Sequence, residues 1–136
     1  MNIALRLGLA AALAVSGYAH AYLYMHGYQH IPAIGPSFLV QASAFIALAV
    51  LIAVGAPEWM TALAGLGSAG ALAAFALSRT VGLFGFSERG WDPAPYAAIS
   101  VVTELAAVVV ASVLLATYVR RPAATPTSRT VPLPQQ

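Results

Sequence analysis

Four stretches of this chain, at about residues 3–24, 37–54, 61–77 and 97–119, are apolar almost throughout, and only Arg6 and Glu104 interrupt them with charge. Each is long enough, at 1.5 Å per residue, to cross a hydrocarbon layer of about 30 Å as a helix with some mismatch. Strands are a poor alternative, because the stretches are apolar all round and lack the period-two alternation of barrel strands. Charged residues make up 7% of the 136 residues. Soluble domains carry about 25%, so a water-facing surface cannot be covered and a soluble globule is excluded. The expected fold is an all-α membrane four-helix bundle spanning residues 1–120, followed by a disordered Pro/Thr-rich cytoplasmic tail over 121–136.

The arginines set the expected orientation. With the N-terminus inside, Arg6, Arg120, Arg121 and Arg129 fall on the inner side and only Arg79 and Arg89 on the outer side, which favours both termini in the cytoplasm. The first and third loops then share the outer face, where Tyr18, Tyr22, Tyr24, Tyr28, Phe84, Phe86, Trp91 and Tyr96 form an interfacial aromatic belt. Ala19-His20-Ala21 has the small-x-small form of a signal-peptidase site, but the apolar stretch is long for a signal and its aromatic end runs past Ala21, so an uncleaved span is the favoured reading.

Several function classes fall away on composition. There is no cysteine, which removes disulfides, thiolate metal sites and iron–sulfur clusters. Lysine is absent and no basic run exceeds two residues, so nucleic acid is not an expected partner. Gly65-Leu66-Gly67-Ser68-Ala69-Gly70 fits the dinucleotide pattern, yet it sits inside an apolar helix with no acidic residue before Glu88. Small-residue packing explains it better and makes the third span the expected centre of the bundle. His26 and His30 are spaced for one helical face, but Gly27 and Pro32 disrupt a helix there, leaving them weak metal candidates.

Glu104 is the one charge without a route to water along its own helix. A carboxylate facing lipid costs at least a few kcal/mol, so it is expected to point into the bundle, find a partner or be protonated. Ser100, Glu104, Ala107, Ala111 and Ser112 form a small and polar stripe on the fourth span, as Ala12, Ser16, Gly17, His20 and Tyr24 do on the first. His20, Gln41 and Arg79 reach a comparable depth from the same side. The expectation is a shared polar cluster in which Glu104 pairs with His20 or Arg79 and has Gln41 as a hydrogen-bond neighbour. A purely structural role, fixing helix register, competes evenly with ligand binding. Over this cluster the outer loops are expected to form a cap that includes His26, His30, Phe84, Phe86, Glu88, Arg89, Trp91 and Asp92.

His20-Ala21-Tyr22-Leu23-Tyr24, the segment from Gly27 to Leu39, and Ser78-Arg79-Thr80-Val81-Gly82-Leu83-Phe84-Gly85-Phe86 together resemble a group of small four-span membrane proteins of high-GC actinobacteria. The layout is also loosely similar to DoxX-like proteins. These resemblances imply architecture and a cell-membrane location, and they transfer no functional residues. The leading function is a non-enzymatic accessory subunit or small-ligand-binding component. No nucleophile–base arrangement or phosphate loop argues for an enzyme, and the sequence names no cofactor. Beyond the bilayer, the expected partners are other membrane subunits or further copies of the chain. A quinone- or haem-linked redox protein is the first alternative, with His20 or His30 as ligand or proton donor. A small transporter or proton pathway is the second.

Overall fold

The computed structural model describes residues 2–120. The expected tail at 121–136, including Arg121 and Arg129, lies outside the described residues. Four helices follow in order: α1 (Ile3–Leu23), α2 (Ile34–Ala53), α3 (Glu58–Arg79) and α4 (Tyr96–Val119). All four are long and apolar enough to cross a membrane. Large apolar side chains stand exposed on every helix, among them Val15, Val40, Leu66, Val102 and Val109. In water they would form patches far beyond what a monomer tolerates, whereas in lipid they are the expected outer surface. The protein is an all-α four-helix bundle with the form of a multi-pass membrane protein.

Local chemistry sets the helix ends. The Asn2 side chain accepts a hydrogen bond from the Ala4 N–H and caps α1. A widened turn, Tyr24–Tyr28, extends α1 until His26 and Gly27 leave helical geometry, Gly27 at φ +138°. The second and third helices both begin three residues earlier than their apolar spans suggest. Pro36 falls within the first turn of α2, where a missing backbone N–H costs nothing, so helix can form ahead of it. Likewise α3 starts directly after Pro57, with Glu58 in its first turn. Gly35 is required by close approach, since a Cβ there would lie 2.6 Å from the Tyr28 carbonyl oxygen.

Packing is uneven. The first helix packs on α2 and α4, and α4 packs on α3, while α2 and α3 barely touch. This overturns the expectation that the third span is central: α1 is the most buried helix and α3 the least. The small residues of α3 serve two faces. Ala64 and Ser68 are buried, and next to Ala64 a Cβ on Gly65 would meet the Ala111 Cβ of α4 at 3.1 Å. Gly67 and Gly70, by contrast, remain exposed. On α1 the close approach is real, because a Cβ on Gly17 would meet Ile46 at 3.0 Å and the Ala42 carbonyl oxygen at 3.2 Å.

The half of the bundle near the tight α2–α3 turn holds the apolar core, with Leu9, Leu13, Phe45, Ile52, Ala107, Ala111 and Leu114 packed together. A smaller cluster of Leu23, Tyr28 and Ile34 sits at the opposite end, beneath the two long connections. Between the two lies the polar cluster.

Candidate functional site

Glu104 lies eight residues into α4, about 12 Å along the helix. It is only 2% exposed and is among the most fully buried side chains of the molecule. The stripe that carries it is Ala97, Ser100, Glu104, Ala107 and Ala111, all buried. Ser112, expected on the same stripe, is instead exposed, with its hydroxyl donating to the Val108 carbonyl within its own helix. The drift of a 3.6-residue period carries the i+8 position away from a seam that i+7 still occupies.

Two hydrogen bonds converge on one oxygen of Glu104. The Ser16 hydroxyl donates to Oε1 at 2.9 Å and the Gln41 amide donates to the same atom at 3.0 Å. Oε2 receives no hydrogen bond among the described residues, although Glu104 lines a cavity of about 80 Å³. That volume holds several water molecules or the polar end of a small ligand.

His20 stands beside it. Its Nδ1 lies 2.9 Å from the Ser16 carbonyl oxygen, which can only accept, so Nδ1 carries the hydrogen. In the neutral ring Nε2 is then an acceptor, and it faces Glu104 Oε1 at 3.8 Å, beyond hydrogen-bond distance. With Glu104 ionised, the site offers two neighbouring acceptors with no donor between them. Around this polar floor the walls are apolar and aromatic, formed by Leu23, Phe38, Ala71, Ala74, Phe75 and Ala97. Phe38 meets the His20 ring edge-on at 5.0 Å and stacks on Tyr28 at 4.9 Å, linking the site to the loop end.

Arg79 does not pair with Glu104. Its Nη1 forms an ion pair with Glu88 Oε2 at 2.8 Å, its Nη2 donates to the Asp92 carbonyl, and its guanidinium lies over the Phe75 ring. As the last residue of α3 it sits too near the helix end to reach the Glu104 level, and the loop offers a closer carboxylate. Tyr28 donates its hydroxyl to Glu88 Oε1. Tyr28, Glu88 and Arg79 thus form a polar latch joining the first connection, the third connection and α3.

The cap differs from the expected one in membership. Leu83 and Phe86 exchange backbone hydrogen bonds of 2.7 and 2.9 Å across Phe84-Gly85, both at positive φ, in a hairpin turn. This turn brings Leu83 and Phe86 to the cavity and leaves Phe84 exposed. The Glu88 N–H donates to the Ser78 carbonyl at 3.1 Å and pins the returning strand to the end of α3. Of the expected cap, Phe86 and Glu88 line the cavity, while Arg89, Trp91 and Asp92 are exposed. His26 stacks on Tyr22 at 3.8 Å, outside the cavity, and His30 is exposed. The non-helical geometry at His26 and Gly27 removes the shared helical face that metal binding by His26 and His30 needs. Among the described residues no group of three or more His, Asp or Glu side chains gathers to hold a metal.

Ser16 belongs to the His20 stripe in the sequence, and its bond to Glu104 emerges only in the structure. The signal was present, because Ser16 and His20 stand four apart on one face. Tyr28 as the partner of Glu88 had no comparable signal, since 60 residues separate them. No protein-family model, curated protein or solved structure matches the chain.

Proposed function

We propose that this is a non-enzymatic, ligand-binding component of the cell membrane, with both termini cytoplasmic and its polar cavity in the outer half. The small four-span actinobacterial group that the sequence resembles belongs to the same proposal. One observation carries the binding reading. A fully buried carboxylate spends both of its protein hydrogen bonds on Oε1, leaving Oε2 and His20 Nε2 as acceptors beside a cavity. A residue that only fixed helix register needs no cavity with apolar and aromatic walls beside its unbonded oxygen. The ligand is therefore one that donates hydrogen bonds, such as a hydroxyl or amine, and carries an apolar body for the aromatic walls. It works with other membrane subunits or with further copies of this chain.

Mild extraction from the native membrane followed by mass spectrometry tests this reading. The wild-type protein should retain a small molecule of discrete mass that Glu104→Gln loses at least tenfold. Equal retention by both proteins would contradict it. Orientation has its own test, which the absence of cysteine makes clean. A membrane-impermeant maleimide applied to intact cells should label Arg89→Cys and spare Trp59→Cys.

The quinone- or haem-linked reading draws on the same adjacent acceptors, His20 Nε2 and Glu104, 3.8 Å apart. Absorption spectroscopy separates it, since a Soret band that disappears in His20→Ala would replace the ligand-binding reading with a haem protein. A proton pathway is less supported, because the apolar packing of Leu9, Leu13, Phe45 and Leu114 fills the other half of the bundle.

A further inference from the structure

The sparse contact between α2 and α3 leaves a groove of about 510 Å³ on the side of the bundle. From α2 it is lined at Pro36, Ser37, Val40, Gln41, Ala44 and Phe45, a single helical face. From α3 it is lined at Gly67, Gly70, Ala71 and Ala74, spaced i, i+3, i+4 and i+7. Small residues on one side and mixed apolar residues on the other make a trough that opens towards lipid.

Small residues alone would indicate only a place where something packs. Here the trough adjoins the polar cavity, because Gln41, Ala71 and Ala74 line both. Gln41 donates to Glu104 Oε1, so the inner wall of the groove is one hydrogen bond from the buried carboxylate, whose Oε2 has no bonded partner among the described residues. The loop end offers a poorer route. There the Tyr28–Glu88–Arg79 latch ties the two connections together, with Leu83 and Phe86 folded beneath.

Length decides between a helix and an alkyl chain as the occupant. From Pro36 to Phe45 the groove covers nine helical steps, about 14 Å, close to the roughly 15 Å depth of a single leaflet. Phe45 closes its far end, where a Cβ on Gly67 would meet the Phe45 ring at 3.2 Å. A transmembrane helix from another subunit crosses about 30 Å and would run on past the closed end of the groove at Phe45. An alkyl chain within one leaflet fits the space available.

We infer that the α2–α3 groove is a lateral portal, and that the ligand is a single-chain amphiphile whose alkyl chain lies in this groove while its hydrogen-bond-donating head reaches Glu104 and His20. This rests on reading the polar cavity as a ligand site. The bilayer supplies the ligand sideways, and the head must shed its water before the acceptors can bind it. A hydroxyl or amine meets two acceptors at the cavity, whereas a carboxylate or phosphate head would face the Glu104 carboxylate, and Arg79, which also lines the cavity, is already paired with Glu88. Arg79 is held away from that carboxylate by Glu88.

Photolabelling tests the inference on the full chain reconstituted in dioleoylphosphatidylcholine nanodiscs. The probe is hexadecan-1-ol carrying a mid-chain diazirine, with its methyl ether as the control that lacks a donor. Saturable adducts are expected on the Val40–Ala44 and Gly67–Ala74 segments, and the ether should label them at least fivefold less. Gly70→Leu places a side chain in the groove from a position where a Cβ meets nothing within 4 Å, and should cut labelling at least fivefold. Gly8→Leu, where a Cβ is equally unobstructed at the far end of α1, should leave it unchanged.

Undiminished labelling of Gly70→Leu overturns the portal, and equal labelling by the ether overturns the donor head. If Glu104→Gln still loses its native ligand in either case, the cavity reading survives without the portal. If Glu104→Gln labels and retains ligand like wild type, both fail. In vesicles, efficient copper-catalysed disulfide formation by Gly70→Cys would assign the groove to a second copy of the chain and overturn the alkyl-chain assignment.

Discussion

The two halves of this bundle are made by the same four helices and differ in how their interiors are filled. Near the tight turn, Leu9, Leu13 and Leu114 are fully buried and packed with Phe45, Ala107 and Ala111, leaving an apolar seam. Towards the long connections, the same helix faces present His20, Gln41, Ser100 and Glu104 around a cavity, with Ser16 hydrogen-bonded to Glu104 behind it. In a membrane the apolar half gains little from burial as such, because lipid is as apolar as leucine, and its stability comes from close packing. The polar half gains from interhelical hydrogen bonds averaging only about 0.6 kcal/mol each. Stability is thus expected to reside in one half and binding in the other.

Removing packing atoms from the apolar half should produce the largest effect. Leu13→Ala is expected to lower unfolding free energy by about 1 to 3 kcal/mol, the cavity part of the cost, measured by denaturation in bicelles, while the folded fraction keeps its ligand. A loss of ligand in proportion to the loss of stability would erase the division between the halves.

Glu104→Gln should do the reverse. Its amide retains one oxygen for Ser16 and Gln41, so stability is expected to change by no more than about 1 kcal/mol while bound ligand falls at least tenfold. Severe unfolding with unchanged binding in the remaining folded protein would make the carboxylate a structural tie.

The division of the bundle was legible in the sequence only in part. The four spans, and Glu104 as the one charge embedded in them, follow from hydropathy and helical period. Ser100, Ala107 and Ala111 share its face as the period requires, and Ser112 drifts off it. Which helix sits in the middle was not legible. Glycine and alanine on α3 permit close approach equally well against α4 and along the open groove, and only the three-dimensional arrangement assigns Gly65 to the first and Gly70 to the second. The pairing of Arg79 was also hidden, because a helix-terminal arginine can turn to a loop carboxylate whose position depends on a tight turn at Phe84-Gly85.

That latch offers a finer test of the polar half. Tyr28→Phe removes the hydroxyl donated to Glu88 and is expected to cost about 0.5 to 1.5 kcal/mol. Hydrogen exchange should show it as faster exchange at the Leu83, Phe86 and Glu88 amides, with α1 and α4 unaffected. Unchanged exchange at those amides would mean that the turn holds without the latch. The smallest effect is expected at Arg89, which is exposed. Arg89→Gln should shift stability by less than about 0.5 kcal/mol and leave ligand retention intact. A larger loss of ligand would extend the binding surface to the loop exterior.

Whether the buried carboxylate keeps one oxygen for a ligand can be seen in an X-ray structure of protein extracted together with its native lipid. Density is expected in the cavity that all four helices line, continuing into the α2–α3 groove, with a donor atom about 2.6 to 3.2 Å from Glu104 Oε2. A cavity closed by protein side chains, with both carboxylate oxygens hydrogen-bonded within the bundle, would contradict it.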